Sequence, residues 1–277
     1  MELDHRHEKE SIGEKLKKRP DRLNLALIGI SVFVFLLMHI PDPEGSGRIG
    51  FNQKVIDALI ISEHSPYFLK QVFGGEVFRL VTPVFLHFGL MHILFNMMWL
   101  NGLGRIFEYQ QGIKRYAYFF IFCAIFPNLA QYLVQGPYFG GMSGVVYALL
   151  GYLWMYKRFH PISEFALPKA DIVLMIGWFF LCLSGFIGHI ANMAHAVGLG
   201  LGMLYGIWSG HSKLDQYRIS RVSIDHYKLN LSSYLGDKAP PQSHKLLFSL
   251  LALFFVLATL AVEYWKLKGG LYLYYLI

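Results

Sequence analysis

The sequence predicts an all-α protein that crosses a membrane several times, and two observations carry that prediction. Hydrophobic residues make up 55% of the 277 residues and charged residues only 16%, with a mean hydropathy of +0.40. A soluble domain carries about 25% charged residues. Several apolar runs also reach the roughly 20 residues that an α-helix needs to cross a bilayer. The lipid bilayer is therefore the first expected partner.

Charge and cysteine content exclude other classes. The net charge of +7 could suggest nucleic acid, but Lys and Arg concentrate beside the ends of apolar runs, as in the cytoplasmic loops of membrane proteins. We therefore expect no nucleic-acid partner. Cys123 and Cys182 lie inside separate apolar segments, which favours packing roles over a disulfide framework.

Seven apolar segments are predicted to span the membrane. They cover residues 23–40, 87–107, 116–134, 143–158, 172–186, 193–208 and 246–264. Bases cluster before the first segment, which places the N-terminus in the cytoplasm. An odd number of spans then puts the C-terminus on the extracytoplasmic side. We expect a multi-pass protein of the cell's inner (plasma) membrane.

This topology divides the chain into four parts. A cytoplasmic N-terminal segment (1–22) precedes a six-helix core (23–208), in which a long first loop (41–86) lies outside the cytoplasm. The apolar pieces of that loop are too short to span, and lying in the membrane interface suits them better. A polar cytoplasmic linker (209–245) leads to a seventh transmembrane helix with a short outer tail (246–277).

Ser143 lies in a glycine-rich stretch where a loop enters the fourth apolar segment. Glycines such as Gly141 allow tight backbone geometry and close approach of a substrate. The first N–H groups of a helix lack intrahelical partners and carry positive partial charge, so they can bind an oxyanion. This context makes Ser143 a candidate nucleophile, although the Gly-x-Ser-Gly pattern alone is common by chance.

His195, at the start of the sixth segment, is the candidate general base, because a serine needs a base to remove its proton. Gly198 and Gly202 follow at four-residue spacing and form a smooth stripe that lets another helix approach closely. The fourth segment offers a small-residue face beginning at Gly144. If the two faces pack, Ser143 meets His195; the alternative is ordinary helix packing that carries a histidine.

Other polar residues lie where lipid is expected. His92 and Asn96 are four residues apart and therefore share one helical face, where interhelical hydrogen bonding is the alternative role. The fourth and sixth segments contain no Asp or Glu, so a dyad is expected rather than a triad. Tyr147, one turn after Ser143, could stack on the imidazole; ordinary aromatic packing is its alternative.

Metal-dependent and aspartyl mechanisms do not fit. His87 and His92 are five residues apart without the acidic residue that a His-Glu-x-x-His zinc motif requires. No pair of aspartates lies within the apolar segments. We therefore expect neither a metal nor another cofactor.

Three motifs in order resemble the rhomboid intramembrane proteases, and among them the bacterial GlpG-like group. They are HFGLMHILFN (87–96), GMSGVVYA (141–148) and AHAVGLGLG (194–202). The resemblance covers about residues 23–208. Arg79 and Glu108 also match the family, whereas Phe78 replaces its usual tryptophan and Pro83 stands where GlpG-like members often have a histidine.

The resemblance implies a rhomboid-like six-helix core, to which this chain adds a seventh helix. It implies an intramembrane serine endopeptidase with Ser143 as nucleophile and His195 as base. His92 and Asn96, with the Ser143 backbone N–H, would stabilise the oxyanion. Substrates would be transmembrane-anchored proteins cut near the outer membrane face.

Two other functions compete with the protease. A catalytically inactive rhomboid-like protein would bind membrane clients, but such relatives usually lack the serine or the histidine. A transporter with broken helices would need an inverted repeat, which the sequence does not display. Neither the natural substrate nor the oligomeric state follows from the sequence.

Overall fold

The computed structural model describes residues 21–40, 51–63, 68–160, 163, 165–188, 190–222 and 242–273, and this part of the chain contains helices and turns but no strand. The predicted all-α class is therefore confirmed for these residues. The α-helices are α1 (Arg22–Met38), α2 (Phe51–Leu59), α3 (Lys70–Phe73), α4 (Leu90–Trp99), α5 (Arg105–Gln111), α6 (Ile113–Gln135), α7 (Ser143–Phe159), α8 (Lys169–Leu183), α9 (Asn192–Val222) and α10 (Gln242–Leu273). Two 3-10 turns (Val77–Leu80 and Thr82–Phe85) and a π-helical turn (Leu100–Gly104) complete them.

The predicted apolar segments are helical over most of their lengths, and some helices meet the length of a membrane span. Helix α6 and the stretch His244–Leu267 of α10 are long and apolar enough to cross a bilayer by length and composition, while α1 is shorter but also apolar. Most of the predicted N-terminal segment, most of the linker and the last four residues lie outside the described residues.

Helix α1 is tied to the second apolar segment by a buried carboxyl group. Glu108 of α5 accepts hydrogen bonds from the backbone N–H groups of Leu23 (3.1 Å) and Asn24 (2.9 Å). These N–H groups have no partner within their own helix, so the carboxylate caps it and complements its dipole. The Tyr116 hydroxyl donates to the Asn24 side chain (3.0 Å) and extends the connection to α6.

The first loop is ordered by one buried arginine. Arg79 donates from Nη1 to the carbonyls of Asp57 (2.5 Å) and Ile60 (3.0 Å), and its Nε lies 2.6 Å from the Glu76 carboxylate. Arg79 is only 6% exposed, so these acceptors are what makes burial of its charge tolerable. The arginine thereby joins α2 to the turns that lead into residues 83–87.

Helix α7 is the central helix and is buried along most of its length. Its most extensive partner among the described elements is α9. A methyl group added at each stripe glycine of α9 would collide with the α7 backbone. The pairs are Gly198 with the carbonyl of Gly144, Gly202 with that of Ala148, and Gly206 with that of Tyr152.

Helix α9 continues past the predicted end of the sixth segment at residue 208 and reaches Val222. Just past the predicted end, Gly210 still packs on α7: a Cβ added there would lie 3.0 Å from the Tyr156 carbonyl oxygen. The first part of the predicted polar linker is therefore helical and continuous with α9.

Candidate active site

The loop that precedes α7 is held by the end of the first loop. Gly141 has φ +124°, a conformation that L-residues with a side chain rarely adopt, and its N–H donates to the Pro83 carbonyl (3.0 Å). The next residue, Met142, directs its N–H to Nε2 of His87 (3.4 Å). These two contacts fix the backbone immediately before Ser143.

Ser143 and His195 lie in hydrogen-bond contact. The Oγ atom of Ser143, in the first turn of α7, is 2.7 Å from Nε2 of His195, in the first turn of α9. The close backbone approach of Gly198 to Gly144 lies one turn or less from both side chains. Two residues that are 52 positions apart in the sequence therefore meet because their helices pack through glycine.

An aromatic ring covers the imidazole. The rings of Tyr147 and His195 are 4.7 Å apart between centroids, with an interplanar angle of 36°. The Tyr147 hydroxyl donates to the Met175 carbonyl of α8 (3.1 Å), which fixes the ring from its far end. Nδ1 of His195 is buried and has no hydrogen-bond partner among the described residues, so packing holds this side of the ring.

His92 and Asn96 both border the glycine loop. A Cβ placed on Gly141 would lie 2.6 Å from Nε2 of His92 and 3.7 Å from Nδ2 of Asn96. These two side chains therefore converge on the backbone two residues before Ser143, next to the first turn of α7, whose N–H groups lack partners within the helix. Donors of three kinds (imidazole, amide and backbone) surround one small region.

Some of the residues that build this region are absent from the sequence prediction. The sequence identified Pro83 only as a residue that departs from the family motif, yet its carbonyl accepts the hydrogen bond from the Gly141 N–H. Gln131 of α6 was overlooked, although it is a polar residue in an apolar segment and this signal could have identified it. Its Oε1 accepts hydrogen bonds from the N–H groups of Met193 (3.0 Å) and Ala194 (3.2 Å), which open α9.

The arrangement offers a serine hydroxyl, a neighbouring imidazole and nearby hydrogen-bond donors. Among the described residues, no group of three His, Cys, Asp or Glu side chains is placed to hold a metal ion. The chemistry that these side chains can perform is nucleophilic attack by an oxygen with proton transfer to nitrogen.

Comparison with known proteins identifies the family. The Rhomboid domain family model matches residues 74–212, half of the chain. A Rhomboid protease GlpG of Yersinia pestis (strain Pestoides F) is 32% identical over 196 residues, which are 70% of this chain and 65% of the relative. A protein of the same name from Pectobacterium atrosepticum is 30% identical over 214 residues, which are 77% and 72% of the two chains. The chain belongs to the rhomboid family.

Family membership and the apolar helices together make this a membrane protein. The matched segment spans slightly less than two thirds of the Yersinia relative's own length. The resemblance stated from the three sequence motifs is confirmed at the level of the family.

Proposed function

We propose that the protein is an intramembrane serine endopeptidase that cleaves transmembrane-anchored proteins by a Ser-His dyad. The observation that carries this proposal is the 2.7 Å contact between Ser143 Oγ and His195 Nε2 at the N-terminus of a buried helix. Proteins related to this chain are named proteases, which agrees with the proposal.

In the proposed reaction, Ser143 Oγ attacks the carbonyl carbon of the scissile peptide bond while His195 Nε2 takes its proton. The imidazolium then gives that proton to the leaving amine, and the C–N bond breaks to leave an acyl group on the serine. A water molecule, deprotonated by the same imidazole, attacks the ester. The serine recovers its proton, and the carboxyl product leaves.

The negative charge that forms on the carbonyl oxygen needs preorganised donors. We assign this role to the side chains of His92 and Asn96 and to the backbone N–H of Ser143. Support comes from the convergence of both side chains on Gly141 and from the free N–H groups at the start of α7. The donors serve the transition state because the charge is absent from the ground-state carbonyl.

Four further residues would support the site without reacting. Gly141 leaves room for His92, and Tyr147 restrains the imidazole ring by stacking against it. Gly198 and Gly202 allow α9 to approach α7 closely enough for the serine and histidine to meet.

The proposed topology keeps the division of the chain into a short cytoplasmic segment (1–22), a six-helix protease core (23–208), a linker (209–245) and a seventh transmembrane helix (246–277). The N-terminus would be cytoplasmic and the C-terminus extracytoplasmic, in the inner membrane. Because Ser143 opens the fourth span on the outer side of this arrangement, substrates would be cut near the outer membrane face.

Two measurements on the purified full-length protein test the proposal. A fluorophosphonate probe should label the wild type and not Ser143→Ala, since the probe reacts with an activated serine. The wild type should cleave a model single-span substrate in liposomes, and Ser143→Ala should bind it without cleaving. Equal cleavage by both proteins would refute the assignment, and absence of cleavage by the wild type would favour a client-binding role.

A further inference from the structure

Helix α10 carries a buried acidic residue that faces the start of α9. Glu263 is only 2% exposed, and both of its carboxyl oxygens are occupied. Oε1 accepts hydrogen bonds from Nδ2 of Asn192 (2.9 Å) and from Nζ of Lys266 (3.1 Å), while Oε2 accepts one from Nε2 of Gln135 (2.5 Å). Burying a carboxyl group costs free energy unless the group is paired and hydrogen-bonded. A buried acidic residue in a membrane helix with several such partners therefore indicates a specific role.

The contacts continue from Gln135 to the first turn of the helix that carries His195. Gln135 Oε1 accepts a hydrogen bond from Nε2 of Gln131 (2.7 Å). Gln131 Oε1 in turn accepts the N–H groups of Met193 and Ala194, which directly precede His195. A chain of hydrogen bonds therefore leads from Glu263 to the backbone of α9.

This chain of hydrogen bonds has a fixed direction. A carboxylate can only accept, so Gln135 must present its amide nitrogen to Glu263 and its oxygen to Gln131. Gln131 then presents its nitrogen to Gln135, and its oxygen remains for the N–H groups of α9. Reversal of either amide would place two donors against each other. The carboxyl group on α10 thereby selects the amide orientation that caps α9.

Glu263 reaches the same end of α9 by two routes, which we call arms: the first is the Gln135–Gln131 connection, and the second is a direct contact with Asn192. Asn192, the first residue of α9, is 3% exposed and bonds Glu263 without an intermediate. Lys266 joins Glu263 to the Leu183 carbonyl at the C-terminus of α8 (2.8 Å). One carboxyl group thus connects the C-terminal ends of α6 and α8 with the N-terminal end of α9, which carries His195.

We propose that Glu263 is a positioning residue: through Asn192 and the Gln135–Gln131 amides it sets the first turn of α9 and with it the imidazole of His195. The inference rests on the proposed function, in which His195 is the base. It gives the seventh helix a role in the reaction although no residue of that helix is placed at the reacting atoms. Loss of the carboxyl group should lower kcat and leave KM little changed, because the Glu263 side chain is buried and therefore not exposed to a substrate.

The test compares three variants of the full-length protein in liposomes. Glu263→Met keeps the side-chain length and removes both acceptors. The double variant Glu263→Gln/Gln135→Glu exchanges the carboxyl and amide groups and preserves every donor–acceptor pair of the two arms. Thr259→Val is the matched control, since Thr259 is equally buried one turn earlier in α10 but bonds only the Phe255 carbonyl of its own helix.

We expect Glu263→Met to lose about 10- to 100-fold in kcat, as for small misplacements of a reacting group. The KM of Glu263→Met should stay within about twofold of the wild type, since the change removes no substrate contact. The kcat of the exchange variant and that of Thr259→Val should also stay within about twofold of the wild type. An equal loss in Thr259→Val, no loss in Glu263→Met, or no recovery in the exchange variant would overturn the proposal.

Hydrogen exchange gives a readout that does not require proteolysis. The amides of Met193, Ala194 and His195 should exchange faster in Glu263→Met than in the wild type or in Thr259→Val. If the wild type proves inactive, the proposed function fails, and unchanged exchange of these amides would separately refute the connection from Glu263 to α9.

Discussion

Gly198 packs directly against the backbone carbonyl of Gly144, which leaves no space for even a methyl group between α9 and α7. This contact lies one turn or less from His195 and Ser143, so the distance between the two side chains depends on it. The backbone contact therefore links helix packing to the geometry of the candidate site.

Gly198→Ala should separate the two helices and destabilise the protein by about 1–3 kcal/mol, the cost of overpacking a well-packed interface. Cleavage and fluorophosphonate labelling should fall by more than the folded fraction does, because Ser143 and His195 move apart. Gly177→Ala is the control, since an added Cβ there has nothing within 4 Å. Thermal unfolding and labelling rate would be measured together; equal behaviour of the two variants would contradict the packing argument.

Gly141→Ala should impair catalysis through His92. The backbone strain of a positive φ costs of order 1–3 kcal/mol, and the new methyl group would also displace the His92 ring. Gly136→Ala separates these effects, because Gly136 has φ +80° but open space around the added Cβ. We expect both variants to lose stability and only Gly141→Ala to lose kcat in a cleavage assay. A similar kcat for both would remove His92 displacement as the cause.

Tyr147 makes two separable contacts, and each has its own expected effect. Tyr147→Phe keeps the ring against His195 and loses the hydrogen bond to Met175, so it should cost about 1 kcal/mol in stability with kcat near that of the wild type. Tyr147→Leu removes the stacked ring and should lower kcat as well. The measurement is steady-state cleavage with thermal unfolding; equal kcat values for Leu and Phe would show that stacking is unimportant.

His195→Ala should lose cleavage by at least about 100-fold, the contribution of a positioned general base. Its folding should be retained, because the contacts of Gly198 and Gly202 that join α9 to α7 remain. Labelling by a fluorophosphonate should fall in parallel, since the probe reports activation of the serine. Retained labelling would mean that another group activates Ser143.

A reporter fused after Ile277 should be extracytoplasmic, as seven spans and a cytoplasmic N-terminus require. At an extracytoplasmic position an alkaline phosphatase fusion should be active and a green fluorescent protein fusion should be dark. Each fusion therefore serves as the control for the other. A cytoplasmic reading would contradict the seven-span arrangement.

Much of the fold could be predicted because helix formation in this chain is a local property. Apolar runs of sufficient length, interrupted by residues such as Gly112 and Gly136, indicate helices at nearly the positions observed. The end of α9 was harder to predict, because the apolar run stops near residue 208 whereas the helix and its packing on α7 through Gly210 continue beyond it.

The sequence by itself determined the helical class and the candidate pair Ser143 and His195, since these follow from composition, spacing and residue chemistry. The family was indicated separately, by the resemblance of three sequence motifs. Only the tertiary structure decided that the two side chains lie 2.7 Å apart and that Pro83 and Gln131 accept hydrogen bonds from the backbone around them. The physical reason is that hydrogen bonds between helices join residues far apart in the chain. Their partners are therefore chosen by packing, and no local pattern encodes them.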